Sequence, residues 1–195
     1  DYLLPTSKSG YLANIAHVRV DTTLNIDIPQ MAGRYLHPYH STAFSKYDRK
    51  RIRKFMKDFR PVLSVDQAQF SDPYYMMLHG GRSADSFYYN KPVYVLADER
   101  SFSAASVFVA SLKGIPNVKI AGLTTDGSSG LSKRYLLKET GLVLRISRMV
   151  SFQPDGLPLD GYGTKPDIAL ERDLNQLLGR HDSQLEKLLE YIQHH

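Results

Sequence analysis

Apolar residues fall in blocks whose spacing separates strands from helices along the chain. The run Val93-Tyr94-Val95-Leu96-Ala97 is apolar at successive positions, which predicts a strand buried on both faces. Asp98-Glu99-Arg100 interrupts it, and a helical period follows. Phe102, Ala105, Val109 and Leu112 share one face there, with Val107 and Phe108 widening it toward full burial. Gly114 stops this helix and Pro116 stands just beyond. Val118 and Ile120 open a second short strand that ends at Gly122. The stretch from Lys91 to Gly130 thus has the length of one βαβ unit.

Other segments carry equally plain periods. Ser45 to Phe59 predicts a helix, with Phe44, Ile52, Phe55, Met56 and Phe59 as its apolar stripe and Pro61 as its stop. Ser45 followed three residues later by Asp48 resembles a capping box. Tyr74 to Leu78 predicts a strand packed in the core, and His79-Gly80-Gly81 a turn. Arg134 to Leu137 and Leu142 to Ser147 predict a hairpin around Glu139-Thr140-Gly141. Leu174 to Leu178 and Ser183 to Gln193 predict closing helices, the second with a stripe of Leu185, Leu188, Leu189 and Ile192 and a cap at Asp182 or Ser183. Before Ser45 the pattern is weak. Tyr11 to Val20 holds one strand, with Ile15, Val18 and Val20 as apolar members, and Pro29, Gly33 and Pro38 imply a winding path after it.

Composition narrows the class without choosing a function. A chain of 195 residues with 42% hydrophobic and 23% charged residues can fill a core of ordinary size. No apolar stretch approaches the roughly 20 residues of a membrane span. With no cysteine, disulfides and thiolate metal sites are excluded. The net charge of +5 comes from one place: Lys46 to Arg60 contains eight Lys or Arg and two Asp, a local charge of +6. That excess reads as the solvated face of one helix, and no nucleic-acid motif accompanies it. His37 and His40 lie three apart, but no third ligand has recognisable spacing, so no metal site is expected. His194-His195 resembles the start of a purification tag.

Candidate chemistry lies at the strand-to-helix turn. Ligands of α/β sheets gather at the carboxyl ends of strands, where Ser101, Ser103 and Ser106 fall. A serine at a helix N-terminus has two readings. It can cap the helix and do nothing more. It can also be a nucleophile whose oxyanion is held by the following N–H, here that of Ala104. Local sequence leaves both open.

The order of motifs is more specific. A buried strand, an acidic turn, S-x-S-A-x-S, an apolar helix, a strand ending in Gly and then T-T-x-G-x-x-G resembles the C-terminal processing serine peptidases, a superfamily that includes the tricorn core. The resemblance continues through Leu142 to Ile146, Pro154-Asp155-Gly156 and the closing run Asp160 to Ile168, covering residues 91 to about 170. It implies a crotonase-like α/β fold of stacked ββα units with outer helices. It also implies one domain over residues 1–195, the later part of a peptidase catalytic domain.

Under that resemblance Ser103 matches the nucleophile and Ala104 the residue lining the oxyanion hole. The processing branch keeps a general-base lysine in the Gly-rich loop. That position falls at Ser128, and no lysine lies between Lys119 and Lys133. The tricorn branch uses Ser, His and an acidic residue. Its acidic position matches Asp160, which would orient the base, and its histidine comes from upstream of this chain. The small-residue loop Thr124 to Gly130, with Gly127 and Ser128, would either cradle the substrate backbone or simply join two strands. The family's Gly-rich donor segment does not appear before Tyr11, so the resemblance implies a chain cut just after it. His79 is the internal histidine nearest Ser103 in sequence, and nothing local places it there.

The function implied is hydrolysis of peptides or protein tails outside the cytoplasm (periplasmic, secreted or cell-surface), without cofactor or metal. The base would come from an upstream segment or a partner chain. The alternative is a non-catalytic peptide-binding or assembly module that keeps the fold, which the missing lysine and missing donor segment favour.

Overall fold

The computed structural model describes residues 2–4, 10–20, 28–80 and 87–194. In chain order its elements are β1 (Tyr11–Val18), α1 (Ile28–Ala32), β2 (His37–Pro38), α2 (Lys46–Asp58), β3 (Tyr74–Leu78), β4 (Val93–Ala97) and α3 (Ala104–Leu112). There follow β5 (Val118–Gly122), β6 (Ser132–Leu137), β7 (Leu142–Ser147), β8 (Met149–Phe152), β9 (Ile168–Ala169), α4 (Leu174–Leu177) and α5 (Ser183–His194). Helices and strands are mixed. An antiparallel sheet runs β2-β3-β1-β8, a parallel sheet runs β4-β5-β9, and β6 and β7 form a separate hairpin.

The antiparallel sheet has a core on each face. On one side α2 lays Ile52, Phe55, Met56 and Phe59 against Leu12, Ile15, Tyr75, Met77 and Phe152. The capping box that starts α2 is complete: the Asp48 N–H donates to Ser45 Oγ, and the Ser45 N–H donates to Asp48 Oδ2 at 2.9 Å. On the other side Ala13, Ala16, Val18, Leu36, Met76 and Met149 form a second core, against which Val107 of α3 packs. A β-bulge in β1 separates the register of Leu12 from that of Asn14.

Helix α3 lies between the two sheets. Its far half is buried, with Val109 and Leu112 joining Ala97, Val118 and Ile120 in the core of the parallel sheet. Its first turn, Ala104 and Ala105, stands in solvent. This corrects the sequence reading of α3: Phe102 is 66% exposed and Phe108 57%, because only the C-terminal half of the helix is covered on all sides. β4 is likewise half-buried along Val93 to Leu96, since it is the edge of its sheet and not a central strand. Val20 falls past the end of β1 and is exposed. In α5 only Leu188 of the apolar stripe is buried, Asp182 supplies the cap by accepting the Leu185 N–H at 3.0 Å, and Ser183 Oγ instead donates to Gln176 Oε1. The hairpin forms as its alternation implies, but every residue of β7 is exposed.

Candidate active site

The turn between β4 and α3 is tied down from outside. Asp98 and Glu99 meet Arg172, whose Nη2 donates to Glu99 Oε1 and whose Nη1 lies 3.7 Å from Asp98 Oδ2. The hydrogen bond from Arg172 is the main reason the Glu99 carboxyl sits below its ordinary value. Ser101 folds back on the same turn, its Oγ accepting the Asp98 N–H at 3.2 Å. Ser106 is fully buried, and its Oγ lies 3.2 Å from Thr125 Oγ1. Two of the three serines are therefore consumed by structure.

Ser103 is different. It occupies the N-cap of α3 with φ 55° and ψ −122°, and its side chain makes no capping hydrogen bond. An L-residue with positive φ is strained, and such strain gathers at functional sites. A strained strand-to-helix turn is also how α/β-hydrolases expose their nucleophile. Among the described residues the Ser103 Oγ has no hydrogen-bond partner, and its residue stands at the positive end of the helix, whose first N–H groups lack intrahelical acceptors. That of Ala104, the first helical residue, is among them.

The Gly-rich loop after β5 touches this turn where the Asp126 N–H donates to the Ser101 carbonyl, and a chain of buried bonds holds it to the closing segment. Thr125 Oγ1 accepts the Thr164 N–H at 2.9 Å, Thr164 Oγ1 donates to Gln153 Oε1 at 2.8 Å, and Gln153 Nε2 donates to the Gly163 carbonyl at 3.0 Å. The loop and the closing segment meet backbone to backbone. A Cβ on Gly163 would lie 2.0 Å from the Thr125 carbonyl oxygen, and Gly163 also has φ 66°, so only glycine fits. Gly127, predicted as a substrate contact, packs in the same interlock and accepts the Gly161 N–H at 3.0 Å. Ser128 reaches Ser103 itself: its Oγ accepts the Ser103 N–H at 3.0 Å and donates to Asp126 Oδ1.

Asp160 lies one step away. Its Oδ1 accepts the Ser129 N–H at 3.2 Å and the Ser129 hydroxyl at 2.9 Å. Its Oδ2 accepts the Ser151 N–H at 2.8 Å and the Ser151 hydroxyl at 3.1 Å. The two hydroxyls also lie 2.6 Å from each other, so their two protons are shared among three contacts, and the carboxylate clasps the loop to β8 with three or four of its roughly four lone-pair sites engaged. Among the described residues it bonds to no histidine.

Ser103, Ala104, Ser129 and Ser151 share a cavity of about 510 Å³ with Asn14, Arg34, Tyr35, Leu36, Met76, Val107, Phe108 and Met149. Tyr35 and Ser103 are the two non-glycine residues with positive φ among the described residues, and both line it. Arg34 closes one wall, its Nη1 donating to the Ser129 carbonyl at 3.1 Å. Among the described residues the lining includes no histidine, lysine or carboxylate. His79 lies elsewhere, its Nε2 2.8 Å from Asp48 Oδ1. A larger concavity of about 820 Å³ lies on the α2 side, edged by Lys50, Arg51, Lys54 and Arg60, and shares no residue with the serine cavity.

Sequence reasoning did not single out Asn14, Arg34, Tyr35, Ser129 or Ser151. An Asn inside the apolar run Leu12-Ala13-Asn14-Ile15-Ala16 was a readable anomaly. The others carried no local signal, because folding brings them from three separate segments.

This chain was compared with known proteins. A probable CtpA-like serine protease of Staphylococcus aureus is 32% identical over 84 residues, 43% of this chain and 17% of the relative's length. The chain therefore spans only a small part of the relatives it matches. A solved structure of a putative peptidase from Parabacteroides merdae aligns with a TM-score of 0.52 at 25% identity, over 63% of this chain and 37% of that one. Mature CPAF in complex with lactacystin shares the fold at a TM-score of 0.57, over 92% of this chain and 37% of that one, at 17% identity. The sequence profile of peptidase family S41 matches residues 34–170, a span that holds the serine turn, the Gly-rich loop and the closing Gly-x-Gly segment. The chain belongs to peptidase family S41.

Proposed function

We propose that this chain is the serine-bearing part of a peptidase catalytic domain with a crotonase-like core, acting on peptides or protein tails outside the cytoplasm. The observation that carries the reading is Ser103: a serine held at positive φ on a helix N-terminus, its hydroxyl uncommitted among the described residues, at the wall of a cavity. Ser103 Oγ attacks the scissile carbonyl. The Ala104 N–H helps hold the oxyanion, and the loop at Gly127 and Ser128 contacts the substrate backbone. A base that takes a proton near neutral pH suits histidine, and it comes from a segment or partner outside this chain. Asp160 orients that base through a lone pair that the Ser129 or Ser151 hydroxyl leaves open when the two serines bond each other.

A second reading has its own support. Among the described residues no base lines the cavity, and the Ser103 N–H is already taken by Ser128 Oγ. Both features suit a peptide-binding or assembly module that keeps the peptidase fold. Fluorophosphonate labelling separates the two, applied to this chain and to the longer protein that contains it, each beside its Ser103→Ala variant. Labelling of the longer protein, lost in the variant, supports catalysis with an external base. Labelling of this chain alone would point to an internal base, with His79 the first to change. A folded longer protein that neither labels nor cleaves peptides leaves the binding module as the function.

A further inference from the structure

Asn14 occupies an unusual position in β1. Leu12 and Ile15 face the α2 core, whereas Ala13 and Ala16 face the α3 core. Strict alternation from Leu12 would send Asn14 to the α2 side with it. The bulge between Leu12 and Asn14 turns it instead into the cavity that holds Ser103. Bulges re-aim side chains in this way and are over-represented beside active sites.

The side chain is only 4% exposed, and its Oδ1 has no hydrogen-bond partner among the described residues. Buried polar atoms are almost always paired, so an orphaned acceptor at a cavity wall is a vacancy for a donor. Leu36, Met76, Leu78, Val107, Phe108 and Met149 make the wall largely apolar, with Arg34 and the hydroxyls of Ser111, Ser129 and Ser151 as its polar groups. A purely aliphatic occupant would bury Oδ1 without a partner. A cationic one would meet no carboxylate among the described lining residues. A small hydroxyl side chain would leave most of the about 510 Å³ unfilled. An apolar ring carrying one donor satisfies both the wall and the amide.

Building on the peptidase reading of Ser103, we infer that Asn14 sets substrate specificity: its Oδ1 accepts a hydrogen bond from the tyrosine O–H or tryptophan N–H of a substrate side chain seated beside Ser103. Sites that hydrogen-bond a substrate donor discriminate strongly against the analogue lacking it, because the buried partner is then left unpaired.

The test uses the longer protein and peptidyl diphenyl phosphonates that carry tyrosine, O-methyltyrosine or phenylalanine at the residue next to phosphorus. Each labelling rate is divided by that of a short alkyl fluorophosphonate, so that partial loss of folding cancels. Tyrosine is expected to react at least tenfold faster than phenylalanine, with O-methyltyrosine as slow as phenylalanine. Asn14→Leu is expected to abolish or reverse the tyrosine preference. Equal rates for the three probes on the wild-type protein, a comparison that needs no variant, overturn the inference while leaving Ser103 as nucleophile. A uniform slowing in Asn14→Leu with the ratio intact also overturns it. Absence of Ser103-dependent labelling by every probe overturns the peptidase reading, and the inference falls with it.

Discussion

Ser45 and Ser103 stand at the same place on two helices, and they do opposite things there. Ser45 has extended backbone, φ −70° and ψ 168°, and its Oγ accepts the Asp48 N–H in a complete capping box. Ser103 has φ 55° and ψ −122° and caps nothing. The difference lies in what each turn must satisfy. At α2 the chain arrives from a loop anchored by the buried Phe44, and Ser45 adopts the extended backbone that aims its oxygen at the helix. At α3 the chain arrives from β4 through a turn pinned by Arg172 and by Ser128 Oγ, and α3 is wedged between two sheets. That frame imposes a left-handed residue and points its hydroxyl away. A serine at a helix start is thus a cap or an uncapping, displayed side chain according to the backbone that holds it.

The largest expected effect tests the displayed serine directly. In the longer protein, Ser103→Ala should eliminate covalent labelling and cut peptide turnover by at least about 10³-fold, with the unfolding midpoint unchanged or raised. Gly163→Ala comes next. Its Cβ has no room against Thr125, so chemical denaturation should show a loss of about 3 kcal/mol, with slowed labelling as the loop shifts from Ser103. Ser45→Ala should cost about 1 kcal/mol and leave labelling at wild-type rate, the mirror image of Ser103→Ala.

Ser103→Gly should raise stability by about 1 kcal/mol, because glycine adopts positive φ without strain. The same change at Ser45, where φ is already favourable, should bring no gain. Acid gives the mildest perturbation. Burial pushes the Asp48 carboxyl up, but hydrogen bonds from Ser45 and His79 outweigh it and hold the group below its ordinary value. A depressed folded pKa contributes stability that is present above the unfolded value, about 3.9, and lost as pH falls through the folded one. Asp48→Asn should flatten that acid limb in a pH series of melting temperatures, and Ser103→Ala should leave its shape unchanged.

Much of the fold was legible because it rests on period and caps. The α2 stripe, the capping box, β3 and the β6–β7 hairpin all appear where their patterns place them. Burial was less legible. Val93 to Ala97 reads as a central strand but forms an edge, and Phe102 and Phe108 read as core but face solvent. An apolar residue tells of a preference for burial, and only neighbouring elements provide the cover. At the candidate site, sequence singled out Ser103 and Asp160 as candidates. It could not reveal that Asp160 is bonded to Ser129 and Ser151, nor that Asn14, Arg34 and Tyr35 share the serine's cavity.

By itself, then, the amino-acid order determined the helices and strands, the family, and which serine to suspect. These depend on local spacing and on motifs within a few residues of one another. The tertiary structure alone decided the left-handed backbone of Ser103, the clasp made by Asp160 and the turning of Asn14 into the cavity. Each of those is imposed by partners distant in the chain, through a pinned turn, a shared carboxylate and a bulge, and no local pattern encodes where such partners will arrive.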